Sequence, residues 1–154
     1  MAHFDERILN EIDELGKQTG ALADRLGTLI RNAEQHLQRL PGKVEAQYVH
    51  WFDNKKTPPI RIRFRRNPRS ASASWGFFVE QASSVNYIAK VAQFDVAETS
   101  LVEANLPLKV LAVEAIPGIF AAVRDAQRSM SERLLPAVKS LESMVYALET
   151  KGGV

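Results

Sequence analysis

The chain has 154 residues, 45% hydrophobic and 25% charged, with a formal net charge of +2 and no cysteine. That length suits one domain, residues 1–154, with a substantial core. The missing cysteines exclude a disulfide framework, a thiol nucleophile and a thiolate metal site, and fit a cytoplasmic protein.

Residues 1–42 are expected to form one long helix. Ile8, Ile12, Leu15, Thr19, Leu22, Leu26, Leu29 and Ala33 recur in steps of four and three. The phase continues to His36 and Leu40, a heptad stripe that Pro41-Gly42 ends. Gly16, Gly20 and Gly27 lie outside this stripe and each weaken the helix by about 1 kcal/mol relative to Ala. They permit either a close helix–helix approach or a plain solvated face. The acidic, amphipathic start lacks the basic and apolar regions of a secretory signal.

Residues 43–80 change period and carry the positive charge. Within 43–69 there are eight Lys/Arg and two acids, a local net of +6, between flanks of −2 each. Ile60, Ile62 and Phe64 alternate with Arg61, Arg63 and Arg65, as in a half-buried strand. Val44, Ala46, Tyr48, His50 and Phe52 mark a preceding strand, with residues 53–59 as the turn. Setting Phe52 opposite Ile60, His50 opposite Ile62 and Tyr48 opposite Phe64 keeps one face apolar. After Arg66-Asn67-Pro68-Arg69 and a Ser/Ala-rich loop, residues 75–80 read as a third strand.

Residues 81–106 have no strong period and are expected to be mixed short elements. Asn105 is placed to cap a short helix at Leu106-Pro107. Residues 107–151 read as a helical segment kinked near Pro117 and Pro136. Phe120, Val123, Gln127, Met130, Leu134, Ala137, Leu141, Met144 and Leu148 again alternate three and four, and Gly152-Gly153 ends the run. A capping box at Ser129 and Glu132 favours a split near Pro136; the unbroken phase favours one kinked helix. The most apolar stretch, residues 110–123, is interrupted by Glu114, Pro117 and Gly118 and is too short to span a bilayer.

The expected fold is therefore α+β. Long N- and C-terminal heptad-patterned helices pack antiparallel and flank a small three-stranded antiparallel β-meander.

Two surfaces carry the functional expectations. Arg61, Arg63 and Arg65 point to one side of their strand, Lys55, Lys56, Arg66 and Arg69 extend the charge at its ends, and Trp51 lies beside Arg61. Guanidinium forks match phosphate oxygens and an exposed Trp stacks on bases, so DNA or RNA is the expected partner, contacted through its backbone. The alternatives are a solvated face, with Trp51 in a cation–π contact with Arg61, and an acidic protein or anionic lipid as the partner.

The second surface is the pair of heptad stripes. Ile12, Leu15, Leu22, Leu26 and Leu29 on one helix, with Phe120, Met130, Leu134, Leu141 and Leu148 on the other, are expected to pair helices. The expected arrangement is a homodimer; pairing within one chain, or with another protein through the long helices, is the alternative. No nucleophile, phosphate-loop or paired-histidine motif occurs, so no catalytic site, cofactor or metal is expected. His36 reads as a packed residue and His50 as a core residue with one hydrogen bond.

Overall fold

A computed structural model describes residues 5–69, 74–94 and 98–152. Helix α1, Glu6–Gln38, begins where the Asp5 carboxylate accepts from the Arg7 N–H at 2.9 Å. Strands β1 (Ala46–His50), β2 (Ile60–Arg66) and β3 (Trp75–Gln81) follow. A separate hairpin, β4 (Ser84–Asn86) with β5 (Val91–Gln93), precedes β6 (Thr99–Ser100) and a 3-10 turn at Leu101–Glu103. Helices α2 (Leu106–Val113) and α3 (Ile116–Gly152) complete an α+β architecture. The Ser/Ala-rich loop expected after Arg69 falls mostly in residues 70–73, and Gly153 lies at the end; both are outside the described residues.

The main sheet is antiparallel with order β1-β2-β3-β6, so it has four strands rather than the expected three. Its inner face is fully buried at Ile60, Ile62, Phe64, Phe77 and Val79. Ile30 and Leu37 from α1, Ala112 from α2, and Ile119 and Val123 from α3 close over it. Asn105 caps α2 by accepting from the Leu108 N–H at 3.0 Å.

The β1–β2 pairing differs from expectation by two residues. His50 faces Ile60, Tyr48 faces Ile62 and Ala46 faces Phe64. A two-residue slip keeps every side chain on its face, so alternation fixes the faces but not the pairing. The connection is longer than the turn signal suggested, and Trp51 and Phe52 belong to it.

Helix direction is a second correction. β1 and β3 both run antiparallel to β2, hence parallel to each other. α1 runs against β3, with Glu34 at Phe77 and Gln38 at Trp75. α3 runs against β1, with Glu114 at His50, Gly118 against Tyr48, and Gln127 donating to the Gly42 carbonyl at 3.0 Å. The two helices therefore cross the sheet in the same direction, not antiparallel. Each helix takes its direction from the strand it covers, which a heptad stripe does not encode.

The buried side of α1 is also turned from the heptad reading. Leu26, Ile30, Ala33 and Leu37 meet the sheet, while Leu29 and His36 are exposed. His36 still approaches Phe120, with ring centroids 6.4 Å apart. A bend of 61° separates α2 from α3 at Glu114–Ala115. Pro117 sits in the first turn of α3, where a missing N–H leaves no helical bond unmade. α3 continues unbroken through Pro136. Among the described residues, no single helix is long and apolar enough to cross a membrane.

Candidate functional site

The three strand arginines do share one face, but each is already engaged. Arg61 forms an ion pair with Glu80, whose side chain is 2% exposed, and its guanidinium lies 4.8 Å from the Phe94 ring centroid. Arg63 Nη1 meets Glu98 Oε1 at 2.7 Å and Arg65 Nε meets Glu98 Oε2 at 2.9 Å. Arg65 also stacks 4.0 Å from the Phe78 centroid. Three guanidinium groups thus meet two carboxylates, and the stripe is nearly neutralised. Guanidinium groups held this way staple β2 to β3 and to the segment around Glu98; freeing Arg61 for phosphate would leave the buried Glu80 carboxylate unpaired, and freeing both Arg63 and Arg65 would do the same to Glu98.

Trp51 is not stacked on Arg61. It packs edge-on against Tyr87, at 6.2 Å, from the turn between β4 and β5. Tyr87 and Phe94 therefore cover the end of the face where a base was expected to stack. An open groove of about 640 Å³ remains beside β3, lined by Arg65 and Arg69 but also by Glu98 and Glu103. Its charges balance. Lys55, Lys56, Arg66 and Arg69 make no ion pair among the described residues. Lys55 and Lys56 lie at one end of β2, Arg66 and Arg69 at the other.

His50 lies on the inner face as expected, but with two polar partners. Its Nε2 is 3.1 Å from Glu114 Oε2 and its Nδ1 is 3.3 Å from the Tyr48 hydroxyl. The Glu114 side chain is 64% exposed. This array ties β1 to the junction of α2 and α3.

The helical stripes present a different picture. Every residue from 5 to 22 and from 131 to 152 is exposed. These stretches form two arms, about 25 Å and 33 Å long at 1.5 Å per residue. Since α1 and α3 run the same way, the N-terminal arm of α1 and the C-terminal arm of α3 leave the body at opposite ends. Ile12, Leu15 and Leu22 are 58–62% exposed, and Leu134, Leu141 and Leu148 are 53–61% exposed. Leu9, Leu135, Val138, Met144, Val145 and Tyr146 broaden the apolar surface. Leu26, Phe120 and Met130, by contrast, are partly buried in the body.

Sequence reasoning missed the residues that engage the arginines. Glu80 was within reach: Val79 points inward, so Glu80 points to the arginine side. Glu98 and Phe94 lie in a stretch without periodicity and gave no signal.

No protein-family model matches the chain, no curated protein matches it, and no solved structure matches it.

Proposed function

We propose that this protein is a protein-interaction module, in which a compact α+β body carries two helical arms that dock onto other helices. The carrying observation is the run of leucine, isoleucine and methionine exposed along both arms, at 58% for Ile12 and 56% for Met144. Isolated surface leucines are ordinary, but continuous apolar stripes this long mark association surfaces. Heptad-like spacing suits helix partners, because knobs at steps of three and four fill the holes of a facing helix. The arginine face then serves the body: it holds the outer side of the sheet in place.

The test changes Leu22 and Leu141 together to Lys and follows association by sedimentation velocity. Wild-type chain should associate with itself or with an added leucine-heptad helical peptide. The variant should do neither, with the urea midpoint of the body unchanged. Wild-type chain that associates with neither contradicts the proposal.

A second reading, nucleic-acid binding, is favoured by the free cations Lys55, Lys56, Arg66 and Arg69. Groups without an ion pair among the described residues remain available to phosphates. On this reading contacts fall at the two ends of β2 rather than along Arg61, Arg63 and Arg65.

A further inference from the structure

We propose that the occupant of the arms is a second copy of this chain, packed side by side in the opposite sense, so that each α1 arm lies antiparallel to the α3 arm of the other copy. The inference deepens the docking proposal and rests on it.

Surface area is the first support. A monomeric globular protein of 17.2 kDa exposes about 7,800 Å² by the usual scaling with mass. This chain exposes 11353 Å², roughly 3,500 Å² more than that scaling gives. Obligate dimer interfaces bury about 2,000–5,000 Å² in total, so two copies have ample surplus surface to bury.

Direction is the second. The arms leave opposite ends of the body on helices that run the same way. Inverting a second copy beside the first places its α3 arm at the end where the first copy projects its α1 arm. The two helices there are antiparallel, and the twofold axis repeats the pair at the other end. Both stripes of both copies are then covered by one closed arrangement.

Charge disfavours one pairing. The α1 arm, 6–22, holds Glu6, Glu11, Asp13 and Glu14 against Arg7 and Lys17, a net of −2. The α3 arm, 131–152, holds Glu132, Glu142 and Glu149 against Arg133, Lys139 and Lys151, a net of zero. Pairing α1 with α1 sets like charges together; pairing α1 with α3 does not.

Helix stability adds a fourth argument. The α1 arm carries Gly16 and Gly20, and a Cβ at either would meet nothing within 4 Å, so neither glycine serves packing inside the chain. The two glycines weaken this stretch of α1, and burying its apolar stripe against a partner helix offsets that cost.

The absence of cysteine makes the test clean. Chains carrying Ile12→Cys and chains carrying Leu141→Cys, both near the middle of an arm, are mixed and joined with a short bis-maleimide, and mass is measured by sedimentation. The expected result is a two-chain mass for wild type and cross-linking of the mixed chains well above that of either alone. Dominant Ile12–Ile12 linkage overturns the antiparallel α1–α3 pairing. Open-ended polymers overturn the closed dimer, because head-to-tail use of the same arms builds filaments. A single-chain mass overturns the second copy. If that single chain still binds a leucine-heptad peptide, the docking proposal survives alone; if it does not, both fail.

Discussion

The Glu34 carboxylate accepts the backbone N–H of Phe77 at 3.2 Å. Among the described residues β6 pairs with Phe78 and Val79 alone, and no strand covers the outer edge of β3 at Trp75–Phe77. α1 supplies the missing bonds from its own side chains. Glu34 takes the Phe77 donor, and Gln38 donates to the Trp75 carbonyl and to Glu34. Gly76 leaves room for this approach: a Cβ there would stand 3.2 Å from Glu34 Oε1. The edge is thereby closed against further strand pairing, a recurrent need of open sheets.

Removing the Glu34 side chain should therefore cost stability. Glu34→Ala leaves a partly buried N–H unpaired, at about 1–3 kcal/mol. A urea titration followed by tryptophan fluorescence measures it. Glu34→Gln keeps an acceptor and should cost less.

Glu34 also gives a signed pH dependence. Burial raises its pKa above the ordinary 4.5, against the Phe77 hydrogen bond and the Arg31 charge, which lower it. The folded state then holds the proton more tightly than the unfolded chain. Its contribution is full below about 4.5 and is lost as pH rises through the raised folded value. The stability of wild type relative to Glu34→Gln should fall as pH rises across that window. A flat difference would show that burial does not govern this carboxylate.

The Arg61–Glu80 pair predicts a non-additive double mutant. Glu80→Ala strands a guanidinium whose Nε already has no partner, and should cost about 3–5 kcal/mol. Arg61→Met with Glu80→Leu removes both charges and should recover most of that loss. Changing Arg61, Arg63 and Arg65 together to Ser should likewise destabilise the fold, since it strands Glu80 and Glu98. It is therefore a poor probe of ligand binding.

Two glycine-to-alanine changes should have opposite signs. At Gly118 a Cβ would collide with the Tyr48 ring and push α3 off β1, at a cost of about 1–3 kcal/mol. At Gly20 nothing lies within 4 Å, and the arm should gain about 1 kcal/mol of helix stability. Thermal melts by circular dichroism distinguish the two.

The nucleic-acid reading has its own check. Fluorescence anisotropy with generic DNA and RNA oligonucleotides should show salt-dependent binding that the combined change of Lys55, Lys56, Arg66 and Arg69 to Ser removes. Four phosphate contacts give a log–log salt slope of about −3.6 on duplex DNA. Binding unaffected by those four changes would place any nucleic-acid site elsewhere.

Much of the body was legible in the sequence. The alternation of Ile60, Ile62 and Phe64 with three arginines fixed both faces of β2, and Asn105 marked the start of α2. The Tyr48 and His50 faces were also readable, but their partners were not, because a two-residue slip leaves a period of two unchanged. The long helices were readable as helices. Their direction was not, since it follows from strands far away in the chain. The arginine face was seen as cations and not as ion pairs, because Glu98 is brought to it from an aperiodic segment. In α1, Leu29 and Ile30 compete for the inward position, and the sheet selects Ile30 where the heptad favours Leu29.

The most direct test of the arms as a docking surface filled by a second copy is amide hydrogen exchange across residues 6–22 and 131–152, read at several protein concentrations. If the arms pair between copies, their amides are protected, the protection weakens on dilution, and Leu22→Lys with Leu141→Lys abolishes it while β2 and β3 stay protected. Arm amides that exchange as fast as unstructured chain at every concentration, with the body intact, would contradict it.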